Sequence, residues 1–93
     1  MFNNFFSKKY DVTAEEVYKT IQSFINGTGG AWDWDDFLYT PLTDPYLDEI
    51  RKKSFDLRDD YPPTRPNEYC NDQGLKVLQQ FLLDIKTKYN LKI

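Results

Sequence analysis

The first periodic pattern of apolar residues begins after Thr13. Apolar side chains recur at steps of three and four residues, at Ala14, Val17, Tyr18, Ile21, Phe24 and Ile25. That spacing places them on one face of a helix. Thr13 and Glu16 have the spacing of a capping box, and Gly27 supplies the left-handed residue that favours a helix C-terminus. The sequence therefore predicts an amphipathic helix between Thr13 and Gly27.

A second apolar stripe lies near the C-terminal end of the chain. Its members are Leu75, Leu78, Leu82, Ile85 and Tyr89, with Val77 and Phe81 widening it. Asn71, a good N-cap residue, precedes the stripe. The stripe covers only two heptads, whereas a coiled-coil seam needs about three or four. We therefore expect this helix to face the core, and a structural subunit that dimerises through it is the alternative.

Two further helix starts lie between these patterns. Asp33 is an N-cap residue ahead of Trp34, and Thr40-Pro41 is expected to end that short helix. Asp44-Pro45 opens another helix, because proline is favoured at the first helical position. Its expected inward residues are Tyr46, Leu47, Ile50 and Ser54.

The end of this third helix is predicted from charge and proline content. Arg51, Lys52 and Lys53 are expected near its C-terminal end, where positive charge complements the helix dipole. Residues 56–70, which contain Pro62, Pro63 and Pro66, are expected to form a proline-rich loop before the last helix.

The pattern as a whole predicts an all-α fold. No segment shows convincing strand alternation, and 93 residues suffice for one core. We expect one compact helical domain over residues 1–93, with three main helices and one or two short ones. Aromatic residues make up 17% of the chain, so we expect the small core to depend in part on ring burial.

Composition excludes several classes of function. The chain has no His and a single Cys, which rules out a His-based catalytic dyad, a His-ligated zinc site and an internal disulfide. We expect no enzymatic activity and no cofactor, and we expect Cys70 to be buried. A net charge of −3 with three Arg argues against nucleic-acid binding. No apolar run approaches a membrane span, and the lone Cys suits the cytoplasm.

Division of the net charge by region shows an asymmetry. Residues 33–60 carry nine acids and four bases, a net −5, whereas residues 75–93 carry four Lys and one Asp, a net +3. Solvated helix faces and caps are one interpretation of this asymmetry. The functional interpretation is an acidic face that steers a basic protein partner.

The segment from Trp32 to Asp36 has the most unusual composition in the chain. Asp33, Asp35 and Asp36 supply carboxylate oxygens of the type that Mg²⁺ prefers, and Trp32 and Trp34 are able to stack on a ligand. A carboxylate-dependent metal-binding protein or enzyme is therefore an alternative. Because a helix start also explains the acids and a small core explains the rings, no metal is expected there.

Two resemblances to known protein families bear on the function of this chain. The runs WDWDDF, PLTDP, YPP and EYC, which begin at Trp32, Pro41, Tyr61 and Glu68, resemble small bacterial proteins that have no assigned activity. The run DLRDDYP, from Asp56, is similar to an element of colicin-nuclease immunity proteins, as are Tyr10-Asp11 with the first helix and Gly74-Leu75 with the last.

Those immunity proteins are acidic four-helix inhibitors of a basic nuclease domain. The resemblance implies a set of partner-contacting residues: Asp56, Asp59, Asp60 and Tyr61. Our leading hypothesis is therefore a non-enzymatic protein-binding module of the inhibitor or immunity type, whose partner has a basic surface.

Overall fold

A computed structural model describes residues 10–28 and 33–93. These residues form four helices: α1 (Ala14–Asn26), α2 (Trp34–Tyr39), α3 (Pro45–Asp60) and α4 (Asp72–Lys88). No strand occurs in these two segments, and a single parallel bridge joins Tyr10 to Leu42. The prediction of an all-α bundle with three main helices and one or two short ones is confirmed.

The ends of α1 follow from local sequence. The Thr13 hydroxyl accepts a 3.1 Å hydrogen bond from the Glu16 amide, and the Glu16 carboxylate accepts one of 3.1 Å from the Thr13 amide. At the other end Gly27 has a φ of 71°, a conformation that costs glycine little. The predicted capping box and glycine C-cap are both present.

The other three helices also begin at their predicted caps, which are Asp33, Asp44 and Asn71. Each of these side chains accepts hydrogen bonds from backbone amides in the first turn of its helix, which would otherwise lack partners. The donors are the amides of Asp35 for α2, Tyr46 and Leu47 for α3, and Gln73 and Gly74 for α4.

Helix α3 is longer than the sequence pattern predicts. The expected loop from Asp56 is wrong at its start, because the helix continues to Asp60 and the Tyr61 amide donates to the Leu57 carbonyl at 2.7 Å. Leu57 is buried and extends the inward stripe of α3 by another turn. Residues 51–53 consequently lie in the middle of the helix, and the dipole interpretation of their charge is also wrong.

The core forms where α4 packs against α1 and α3, with α2 lying against α1 and α3. Ser54 is buried within it, and its hydroxyl donates to the Ile50 carbonyl at 2.8 Å. The apolar stripe of α4 faces this core, as predicted. The buried apolar residues are Val17, Ile21, Phe37, Leu38, Leu42, Leu47, Ile50, Leu57, Cys70, Leu78, Phe81 and Ile85.

None of the helices in the described segments is long and apolar enough to cross a membrane.

Candidate functional site: the exposed face of α3

The solvent-facing side of α3 carries the acidic residues that the sequence singled out. Asp56, Asp59 and Asp60 are exposed, and their spacing of three and four residues places them on one helix face. Tyr61 follows as the C-cap residue and is half-buried against the core. We call Asp56, Asp59, Asp60 and Tyr61 the acidic face.

The position of these aspartates is electrostatically unfavourable for the helix. They lie near the C-terminal end of α3, where the helix dipole is negative. Asp56 and Asp60 are four residues apart, so their like charges repel. Within residues 10–28 and 33–93 none of the three forms an ion pair. Capping and dipole effects, which account for Asp33 and Asp44, therefore do not account for this cluster.

An aromatic pair borders the acidic face. The rings of Tyr39 on α2 and Phe55 on α3 meet edge to face, with centroids 5.3 Å apart. Tyr39 is 71% exposed and Phe55 39% exposed, so the pair presents apolar surface to solvent. The two rings belong to a surface pocket of about 370 Å³, lined by Leu38, Tyr39, Arg51, Lys52, Phe55 and Asp56.

The charged groups of this pocket differ in how they are paired. The Arg51 guanidinium donates to Asp48 Oδ1 and to the Leu38 carbonyl, both at 2.8 Å. Lys52 Nζ lies 3.7 Å from Asp48 Oδ2. Asp56 has no such partner among the residues described.

Asp48 is the common partner of both cations. Burial alone would raise the pKa of its carboxyl, but the hydrogen bonds from Arg51 and from the Leu42 amide, together with the two positive charges, outweigh burial and lower the pKa. Asp48 therefore stays ionised and compensates the cationic end of the pocket.

Trp34, which the sequence offered as a ligand-stacking residue, packs inside the protein. Its ring stacks on Phe24 with centroids 4.1 Å apart and an interplanar angle of 12°, and Tyr69 meets it edge-on at 5.9 Å. Its Nε1 is buried without a hydrogen-bond partner in the described part of the chain. Trp32, the other candidate, lies outside the described residues.

The three carboxylates beside Trp34 occupy the start of α2. Asp33 caps the helix, and Asp35 and Asp36 are exposed in its first turn, where negative charge is favourable. Across residues 10–28 and 33–93 no group of three or more His, Cys, Asp or Glu side chains is arranged to hold a metal ion. The geometry of these aspartates is that of a helix N-terminus.

The proline-rich loop is attached to α3 through Tyr69. The Tyr69 hydroxyl lies 2.7 Å from the Phe55 carbonyl and 3.0 Å from the Ser54 carbonyl. Burial raises the pKa of this phenol to about 12, so the hydroxyl remains a donor at neutral pH. The loop therefore contacts the backbone of α3 at Phe55, one member of the aromatic pair.

Cys70, at the end of this loop, is 2% exposed. Burial raises the pKa of its thiol, and the nearby charge of Glu68 raises it further. A protonated, enclosed thiol is a poor nucleophile, which agrees with the predicted burial of this residue.

Sequence reasoning missed Tyr39 and Phe55. Phe55 does carry a signal, because it lies outside the inward stripe of Leu47, Ile50 and Ser54. Exposed apolar side chains indicate a contact site where they form a contiguous patch, and Phe55 forms one with Tyr39. Tyr39 has no comparable signal in a six-residue helix.

No protein-family model matches this chain, and comparisons with curated proteins and with solved structures likewise give no match.

Proposed function

We propose that this protein is a non-enzymatic binding module of the inhibitor or immunity type, which docks its acidic face on a basic surface of another protein. The observation that carries the proposal is the placement of three aspartates near the C-terminal end of α3, none of which forms an ion pair with another residue of segments 10–28 and 33–93. Their charges oppose both the helix dipole and one another. A cationic partner surface would supply the positive charge that the described part of the chain does not pair with these aspartates.

The surroundings of the acidic face support protein binding over catalysis. The chain has no His, and its only Cys is buried with a raised pKa. The exposed pair Tyr39 and Phe55 adds apolar contact area beside the charges, and aromatic residues with a charged rim are typical of protein interfaces. A single unpaired thiol suits a reducing compartment, so the proposal places the protein in the cytoplasm.

The test begins with capture of a partner protein from the native host. The partner is then identified and purified. Calorimetry of the reconstituted complex over a range of salt concentrations should show weaker binding as salt rises, because screening acts on exposed charges. The single variant Asp59→Lys should weaken binding as well. Binding that neither salt nor Asp59→Lys affects would overturn the electrostatic proposal.

A matched pair of double variants separates local contact from total charge. Asp59→Asn combined with Asp60→Asn should raise the Kd about tenfold, since two exposed ion pairs are lost. Glu15→Gln combined with Glu49→Gln removes the same total charge from exposed positions outside the acidic face. The second protein should bind nearly as tightly as the unmodified one, and an equal loss in both would contradict a defined docking face.

A further inference from the structure

The pocket lined by Tyr39 and Phe55 combines aromatic rings with charged groups, and this combination indicates which group of a partner it binds. Its lining includes the residues of the two aromatic rings and the buried Leu38. Asp56 lies on both the pocket and the acidic face. The pocket is therefore continuous with the proposed docking surface.

We propose that this pocket receives an arginine side chain of the protein partner, with the guanidinium against the Tyr39 and Phe55 rings and paired with Asp56. This inference rests on the proposed function and names the partner group that anchors it. A planar guanidinium stacks on aromatic rings and binds a carboxylate through two parallel hydrogen bonds. Arginine is also enriched among the residues that contribute most to interface affinity.

Asp56 offers a cation a carboxylate to pair with, and the four charges of Arg51, Lys52, Asp48 and Asp56 sum to zero. Arg51 already donates to Asp48 and to the Leu38 carbonyl, and Lys52 shares the same aspartate. Asp56 is the charged pocket residue without an ion-pair partner in the described segments. The next aspartates along α3 extend the negative charge away from the pocket, so a basic segment has further contacts beyond its anchoring arginine.

Lys52 provides a test of the charge of the occupant, because it lies in the same pocket and its own charge opposes an incoming cation. Its Nζ is 3.7 Å from Asp48, and its side chain is 62% exposed. If a guanidinium occupies the pocket, Lys52→Gln should tighten binding. An anionic occupant would instead bind less tightly to the same variant.

The experiment titrates the isotope-labelled full chain with N-acetyl-arginine methylamide and follows the backbone amide signals by NMR. Saturable shifts should centre on Leu38, Tyr39, Phe55 and Asp56. Asp56→Asn and Phe55→Leu should each raise the Kd about two- to fivefold, because each removes one exposed contact. Glu49→Gln, on α3 but outside the pocket, should leave the Kd unchanged, and Lys52→Gln should lower it.

Two matched probes identify which property of arginine is recognised. The citrulline analogue keeps the shape without the charge, and the lysine analogue keeps the charge without the planar group. Equal affinity for either probe would overturn the proposal, as would shifts that spread evenly over all exposed acids. Clearly weaker binding of both probes supports it.

The two proposals fail in different ways. If Asp59 and Asp60 variants weaken the protein complex while the arginine probe does not bind at Phe55, the pocket assignment is wrong and the acidic face stands. If the probe binds in the pocket while those variants leave the complex unchanged, the pocket assignment stands and the acidic docking face is wrong.

Discussion

The hydroxyl of Tyr89 donates a 2.8 Å hydrogen bond to Oδ2 of Asp44, joining the end of α4 to the start of α3. Oδ1 of the same carboxylate caps α3. Burial alone would raise the pKa of Asp44, but the bonds from Tyr89 and two backbone amides, with the charge of Lys88, outweigh it and lower the pKa. One carboxylate thus stabilises two helix ends.

Tyr89→Phe should lower the free energy of unfolding by about 1–2 kcal/mol at neutral pH, because a hydrogen bond to a charged group is lost. The pKa of Asp44 is lower in the folded than in the unfolded state, so its contribution is present above the unfolded pKa of about 3.9. That contribution disappears as the pH falls through the folded value. Urea unfolding at neutral pH and below about pH 3 should show the difference from the unmodified protein shrinking in acid.

Tyr39→Phe is the control for this effect, because Tyr39 is 71% exposed and its ring contact with Phe55 does not need the hydroxyl. Its unfolding free energy should match that of the unmodified protein at both pH values. If Tyr89→Phe lowers the free energy of unfolding equally in acid and at neutral pH, the ionisation of Asp44 is not the source of the effect.

The aspartates at the end of α3 should reduce stability. Asp59→Asn and Asp60→Asn should each raise the unfolding free energy by about 0.3–1 kcal/mol, since each removes a negative charge from the negative end of the helix dipole. The gain should decrease in high salt, because screening weakens exposed interactions. Thermal or urea unfolding at two salt concentrations measures both effects.

Asp36→Asn provides the opposite case, because Asp36 lies in the first turn of α2. This substitution should lower stability by a similar amount. If Asp59→Asn and Asp60→Asn instead destabilise the protein, the charges at the end of α3 are compensated within the fold, and the argument for an external partner loses its basis.

Contacts between residues that are close in the sequence are predictable from it, whereas contacts between distant residues depend on how the helices pack. Thr13, Asp44 and Asn71 were predicted as caps because an N-cap contacts amides two or three residues away. The length of α3 was underestimated because its charged end resembles a loop, although the first residue after Pro45 that cannot donate a backbone hydrogen bond is Pro62.

The candidate pocket depends on residues that are far apart in the sequence. Tyr39 and Phe55 belong to different helices, and their contact depends on how α2 packs against α3. The link from Tyr69 to the Phe55 carbonyl is similarly non-local. Periodicity and capping patterns describe one element at a time, so they identified Asp56 but not the aromatic pair beside it.

Trp34 should behave as a core residue in mutagenesis. Trp34→Ala should lower the free energy of unfolding by about 3 kcal/mol, because it removes a ring stacked on Phe24 and leaves a cavity. Trp34→Phe should cost much less, since it keeps an aromatic ring and removes a buried N–H that lacks a partner within the described segments. Urea unfolding compares the two, and near-native stability of Trp34→Ala would contradict a core role.

Gly74 lies in the first turn of α4 against Cys70. A Cβ at position 74 would lie 2.7 Å from Sγ and 2.8 Å from Cβ of Cys70. Alanine in a helix is favoured over glycine by about 1 kcal/mol, yet overpacking at a close contact costs about 1–3 kcal/mol. Gly74→Ala should therefore lower the free energy of unfolding despite its better helix propensity.

A double-mutant cycle with Cys70→Gly separates the two effects, because this substitution removes both atoms that a Cβ at position 74 would meet most closely. In the Cys70→Gly background, Gly74→Ala should cost clearly less than in the unmodified protein, and any remaining cost reflects Cβ of Tyr61, 3.2 Å away. Urea unfolding of the four proteins gives the coupling free energy. If Gly74→Ala has the same effect with and without Cys70, the close contact between α4 and the end of the loop does not limit stability, and glycine at position 74 has another cause.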